Sequence, residues 1–301
     1  FHMSNDSYLF RTREQLEGEG WALRGNVFWR DEERCLPLFE GKMLHHFDHR
    51  WATYDGPKTR NMTLQEKRNP AALPLPRYWV SRGHTQERLG TWSRPWLSGF
   101  RDTARATDER TAIFSVLPTS AVGHKAPLLF LKDLPPASPL LLASLCTIVC
   151  DYVARQKVGG TSLGYFILKQ VPVLPPCAYR DSVARFIQAA VLELTYTAWD
   201  LQGFARDCGY EGPPFRWDPE RRFLLRCELD ALYFHLYGIA REDVGYILDT
   251  FPIVRRRDEE QYGEYRTRRV ILEKYDEMAA GLEQYRTRLD PPRPTRGWPM
   301  A

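Results

Sequence analysis

The chain has 301 residues, 42 Lys plus Arg against 38 Asp plus Glu, and 43% apolar residues, enough for one large domain or two ordinary ones with real cores. That composition excludes a disordered tail, and the longest apolar stretches, such as Pro139 to Val149, fall short of the roughly 18 uninterrupted residues of a membrane span. Six cysteines with no C-x-x-C pair are too sparse for a disulfide scaffold. With no signal-peptide pattern at its start, the chain is expected to be soluble and cytoplasmic, without a membrane partner.

Phe1-His2-Met3 reads as the scar of a tag and cloning site, so residues 1–30 are expected to be a scar and lead-in to a piece of something longer. Trp21 to Trp29 and Cys35 to Met43 hold short β-favouring runs separated by the charged turn Arg30 to Arg34. Asp55 to Pro76, rich in Pro, Asn, Lys and Arg without apolar period, predicts a long loop. Strands are expected again at Arg77 to Ser81, Thr111 to Leu117 and Pro127 to Leu131. Ser138-Pro139 then supplies an N-cap and first-turn proline for a buried helix running to about Gln156. Lys157 to Tyr165 is a glycine-rich loop, followed by Phe166-Ile167-Leu168 and the extended, proline-bearing Val171 to Pro176.

Beyond Pro176 the spacing turns helical. Val183, Phe186, Ile187, Ala190, Val191 and Leu194 share one face, and Leu224, Leu225, Leu229, Leu232, Tyr233 and Leu236 another. A short helix from Arg241 to about Asp249 and a longer charged one from Thr267 to Leu289 complete the pattern. The predicted fold is α+β: a β-rich domain over 31–176 and a helical section over 177–301, their apolar faces sharing one core.

Arginine outnumbers lysine 34 to 8, a bias that suits phosphate and guanine contacts but that a GC-rich genome produces equally. The basic surplus is local: Lys42 to Arg110 holds 13 basic and 7 acidic residues, a net of +6. Phe47, Trp51, Tyr54, Tyr78, Trp79, Trp92, Trp96 and Phe100 are interleaved with those charges, as on a nucleic-acid surface or as a solvated basic face over an aromatic core.

Three constellations carry possible chemistry. Gly160-Thr161-Ser162-Leu163-Gly164 has the G-x-S-x-G spacing of a hydrolase elbow but not its strand-before, helix-after setting. Asp31 followed by Glu40-Gly41-Lys42 has the loose D…E-x-K form of metal-dependent nucleases. His45 and His49 would form a metal pair on a helix, with the alternatives of DNA contacts or a satisfied buried histidine. No P-loop or dinucleotide motif appears, so a binder is expected.

Leu36 to Tyr54, Arg77-Tyr78-Trp79-Val80, Phe100 to Pro118, the glycine-rich loop leading into Gln170-Val171-Pro172-Val173-Leu174-Pro175-Pro176, and Leu236 to Tyr275 together resemble the C-terminal region of large adenine-N6 DNA methyltransferases. These are restriction-modification and phage-defence enzymes of the type IIG, BREX and DISARM kinds. The resemblance runs from about Asp31 to Met278 and implies a target-recognition domain similar to those of type I specificity subunits. Asp290-Pro291-Pro292-Arg293 lacks the aromatic of the amino-methylating motif, and the cofactor glycine motif is missing.

The resemblance therefore implies a non-catalytic piece that recognises double-stranded DNA. It would bind no cofactor itself, with S-adenosylmethionine belonging to the full-length protein. The implied partners are the missing N-terminal methyltransferase domain and other defence-system subunits. The candidate DNA contacts are Lys42, Arg50, Arg60, Lys67, Arg68, Arg101, Arg105 and Arg110, with Lys157, Thr161 and Ser162 on the glycine-rich loop. The rival readings are a nuclease using Asp31, Glu40 and Lys42, and a protein-interaction scaffold.

Overall fold

The structure, a computed structural model, describes residues 1–131 and 137–295; the last residues of the predicted helical section, 296–301, lie outside them. A capping box between Thr12 and Gln15 starts α1 (Arg13–Gly18). β1 (Ala22–Arg24), β2 (Val27–Arg30) and β3 (Glu33–Phe39) then form an antiparallel meander, pairing Arg24 with Val27 and Arg30 with Glu33 across two-residue turns. The first turn, Gly25-Asn26, splits the run expected over Trp21 to Trp29 in two. Gly25 sits at φ +61°, which glycine adopts without steric cost.

The long loop expected over Asp55 to Pro76 is a loop only in part: its last stretch, 69–76, has neither helix nor strand, but its first half is ordered. β4 (Ala52–Asp55) and β5 (Lys58–Asn61) form a hairpin, and α2 (Leu64–Arg68) follows. Thr63 and Glu66 make a reciprocal capping box at the start of α2, a polar signal that a search for apolar period does not see.

β6 (Trp79–Ser81), α3 (Arg82–Leu89), β7 (Trp96–Phe100), β8 (Phe114–Pro118), β9 (Ala121–Val122) and β10 (Leu128–Leu129) complete the β-rich part. One sheet has the order β1-β2-β3-β6 with β9 added to β3; a second has the order β10-β7-β8. Among the described residues every strand pairing is antiparallel except β3 with β9.

The single helix expected from Ser138 is two, α4 (Ala137–Cys146) and α5 (Ile148–Lys157), bent by 60°. Thr147 breaks it: its side chain accepts from the Cys150 amide and caps α5. Among the described residues no single helix is long and apolar enough to cross a membrane. α6 (Tyr165–Leu168) is one short turn.

α7 (Asp181–Thr195), α8 (Gln202–Asp207), α9 (Pro219–Leu236), α10 (Arg241–Asp249), α11 (Pro252–Tyr262) and α12 (Arg266–Met278) form the helical section. The helix expected over Thr267 to Leu289 stops at Met278. α11, whose apolar period is poor, and the short α8 were not legible in the sequence.

One apolar cluster crosses residue 176. Phe100, Phe114 and Val116 of the second sheet belong to the same buried group as Ile187 and Leu194 of α7, Leu229 and Leu232 of α9, and Ile271 of α12. Polar ties run alongside it. Asp151 on α5, fully buried, accepts from the amides of Thr111 (2.9 Å) and Ala112 (3.2 Å) and pairs with Arg110 at 2.6 Å. Arg222 on α9 donates to the carbonyls of Leu194 (2.6 Å) and Phe47 (3.3 Å).

Asp230, also on α9, accepts from the Ile148 amide at 2.7 Å and caps the start of α5 from outside. Burial pushes its carboxyl from 3.8 up to about 6, against the pull of the Arg110 charge and of that amide. The folded chain thus holds this proton more tightly than the unfolded one. The proton's stabilisation is complete below the unfolded value and is lost as pH rises through about 6. In Asp230→Asn the amide oxygen keeps the Ile148 bond and nothing titrates. The stability of the variant relative to wild type is expected to rise by about 1 to 1.5 kcal/mol between roughly pH 5 and pH 8. Urea unfolding at several pH values measures this, and a difference that does not change with pH would be evidence against it.

Candidate nucleic-acid interface

The basic segment divides into cations that hold the fold and cations that face outward. Arg50, expected at a DNA surface, is inside the protein: its side chain is 0% exposed. Its fork donates to the carbonyls of Asn69 (2.8 Å), Ala72 (3.0 Å), Lys67 (2.7 Å) and Thr197 (2.9 Å). Lys67 is buried too, its ammonium 2.5 Å from Asp48 and over the rings of both Trp51 and Trp217. Burial works against the Asp48 charge, but Lys67, Arg222 and Arg50 outweigh it and lower its pKa. Arg110 is pinned between Asp151 and the Cys146 carbonyl. These three candidates serve the interior.

Most of the interleaved aromatics serve it as well. Phe47, Tyr54, Trp79, Trp96 and Phe100 are buried; Trp51, Tyr78 and Trp92 are half-buried. Alternation of rings and cations along this segment is mainly the pattern of a core with charged edges.

Lys42, Arg60 and Arg101 come together around an open groove of about 440 Å³, with Trp51, Ala52, Thr59 and Asn61 as its other walls. Three local structures place them. Lys42 stands on the tight turn Gly41–Met43 that ends β3, its ammonium over the Tyr54 ring. Arg60 projects from β5 and makes a two-pronged contact with Glu66 at 2.9 and 2.7 Å. Arg101 follows β7, and its guanidinium donates to the carbonyls of Gly41 and Leu44, tying the turn to the second sheet. Gly41 has to be glycine here, because an added Cβ would lie 2.3 Å from the Lys125 carbonyl oxygen.

The glycine-rich loop docks beside this groove through residue 102. Ser162 donates to Asp102 Oδ1 at 2.5 Å, Lys125 holds Asp102 Oδ2 at 2.7 Å, and the Thr161 carbonyl accepts from the Ala104 amide at 3.1 Å. Burial alone would raise the Asp102 carboxyl, but the bonds from Lys125 and Ser162 keep it below its ordinary value. Thr161, Ser162 and Lys157 are all exposed. Arg68, at the end of α2, and Arg105, in the segment after β7, are exposed but are not walls of the groove.

Lys58 and Lys125 are outward-facing cations beside this set that the sequence did not single out, and Phe166 on α6, 81% exposed, is an apolar one. Nothing in the sequence separated them from ordinary surface residues.

The rival constellations come apart. Asp31 occupies the turn before β3 and Glu40 lies past its end, more than about 20 Å away at the rise of a strand. Glu40 instead accepts from the Tyr54 hydroxyl and pairs with Lys42. His45 and His49 lie in a turn, not on a helix: His45 stacks on Trp51, and His49 meets Asp200 at 2.9 Å. Among the described residues no group of His, Cys, Asp and Glu could hold a metal ion. Ser162 follows helix α5 and precedes helix α6, without the strand an elbow needs. Asp290 to Arg293 lies beside Phe215, and the Arg293 carbonyl accepts from the Arg216 amide.

Comparison with protein-family models, with curated proteins and with solved structures returns no match.

Proposed function

We propose that this chain is a double-stranded DNA recognition module that directs an adenine-N6 methyltransferase of a restriction-modification or phage-defence system to its site. The observation that carries the reading is the groove walled by Lys42, Arg60 and Arg101, flanked by the exposed glycine-rich loop. Cations on three separate elements track a phosphate backbone, while a loop with small residues and the Thr161 hydroxyl can approach base edges. The resemblance to target-recognition regions, with a β-rich part akin to specificity-subunit domains, supports the same assignment.

In this reading methyl transfer and S-adenosylmethionine belong to the catalytic domain outside this chain. The glycine-rich loop here does not fit that cofactor: its Ser162 hydroxyl and Thr161 carbonyl are committed to residues 102 and 104, and the helix after it is only four residues long. Other defence subunits would dock on the remaining surface, where Phe166 is, among the described residues, the most exposed large apolar one.

Fluorescence anisotropy with a duplex library across a salt series tests the proposal. If roughly six phosphates are neutralised, the logarithm of affinity should fall with the logarithm of salt at a slope of about −5. A folded chain that binds no duplex at low salt would overturn the reading in favour of a protein scaffold. Magnesium-dependent cleavage would favour a nuclease.

A further inference from the structure

The β4–β5 hairpin is a two-stranded ribbon of its own: among the described residues no third strand pairs with β5, whose four residues are all exposed. A ribbon of two strands is narrow enough to enter the major groove of B-form DNA, about 12 Å wide. The strand pairing decides which side chains it presents. Tyr54 lies opposite Thr59, and Ala52 opposite Asn61. Residues paired across an antiparallel ladder share a face, as do residues two apart on one strand. Lys42 stands over the Tyr54 ring, so that shared face is turned toward the Gly41–Met43 turn, and Lys42, Ala52, Thr59 and Asn61 all wall the groove. Thr59 and Asn61 therefore stand side by side on the groove face, about 7 Å apart.

The cations of the groove are already committed. Arg101 donates to the carbonyls of Gly41 and Leu44, Arg60 holds Glu66 with both prongs, and Lys42 lies 3.5 Å from Glu40. They lend the groove its positive charge, but neither guanidinium is free to swing onto the O6 and N7 edge of a guanine. Asn61 differs. Its backbone carbonyl accepts from Arg60, while among the described residues its side-chain amide, like the Thr59 hydroxyl, has no hydrogen-bond partner. A side-chain amide carries a donor and an acceptor side by side, the complement of the N7 acceptor and N6 donor of adenine in the major groove.

We propose that β5 enters the major groove and that Asn61 is its base-reading residue, taking an adenine through N6 and N7 while Thr59 meets a neighbouring base pair. The inference rests on the DNA reading above and makes it more specific, because it assigns the groove an A·T pair where arginine content alone points to guanine. Phosphate contact and base readout then fall to different residues of one strand. Arg60, steadied by Glu66, supplies charge; Asn61, which has none, supplies discrimination.

Selection of randomised duplexes by the whole chain, followed by anisotropy on the selected duplex and its single-pair variants, tests it. Wild type should select a duplex in which one A·T pair cannot be changed without a loss of about tenfold or more, and replacing its adenine by 7-deazaadenine, which lacks the N7 acceptor, should cost about as much. Asn61→Ala should bind the selected duplex about tenfold more weakly and no longer distinguish that pair, with the salt slope and the melting temperature of wild type. Asn61→Asp should move the preference at that position toward cytosine, whose N4 amine a carboxylate accepts. Asn61 does not read adenine if wild type binds duplexes without preference, if Asn61→Ala keeps the preference at every position, if the position it releases is a G·C pair, or if 7-deazaadenine binds like adenine. Each of those results overturns this inference and leaves DNA binding in place. A folded wild type that binds no duplex overturns both.

Discussion

Replacing Arg50 by alanine is expected to cost about 3–5 kcal/mol of folding stability, the range for stripping one member from a buried charged network. The change leaves the carbonyls of Lys67, Asn69, Ala72 and Thr197 without their donor, and Asp48 without one of the cations that offset its burial. For a chain of this size the melting temperature should fall by roughly 6–20 °C. Arg50→Lys should be nearly as harmful, because one ammonium cannot reproduce a planar fork spanning residues 67 to 72 and 197. Lys42→Ala, by contrast, should change stability by no more than about 0.5 kcal/mol. Thermal and urea unfolding of the three variants gives the comparison; similar small losses in all of them would show that Arg50 is not the keystone its contacts describe.

The second large effect is on binding. Removing the outward charges Lys42, Arg60 and Lys157 together, each as glutamine, should lower duplex affinity on the order of a thousandfold near 0.1 M salt. The salt slope should flatten by nearly three, about one for each lost phosphate contact. All three side chains are exposed, and only local contacts to Glu40, Tyr54 and Glu66 are lost, so the variant should fold as wild type does. An unchanged slope in a folded triple variant would remove the groove from the proposal. Because Arg60 is shared with Glu66, its loss should count for less than that of Lys42.

What could be read in the sequence followed from whether one face of an element is apolar. α7 and α9 were legible as helical faces because residues such as Ile187, Leu194, Leu229 and Leu232 repeat at helical spacing and point into one cluster, although α9 begins at Pro219, before the first residue of its expected face. β4, β5 and α2 were hidden because their order comes from a two-residue turn and a threonine–glutamate box, in a segment whose hairpin arm β5 is wholly exposed. The break at Thr147 escaped for the opposite reason: α4 is apolar almost all round, so the sequence kept its helical character on either side of the cap.

The site was less legible than the fold. Charge marked the right segment but could not separate Arg50 and Lys67, drawn inward by carbonyls and by Asp48, from Lys42 and Arg60, which lie a few residues away and face solvent. That distinction depends on Thr197 and Trp217, well over a hundred residues downstream.

The ties from Arg50 to Thr197 and from Phe47 to Arg222 set an order of events during synthesis. At about 5–20 residues per second, a ribosome takes on the order of ten seconds or more between delivering the early partner and the late one. Through that interval the Arg50 fork lacks its Thr197 acceptor, the second sheet lacks its α7 and α9 cover, and the apolar faces of Phe100 and Phe114 have only nascent neighbours. A chain stopped near residue 176 would keep that state permanently. The nascent protein therefore presents a window for chaperone capture, and truncations at the apparent boundary should aggregate where the whole chain does not.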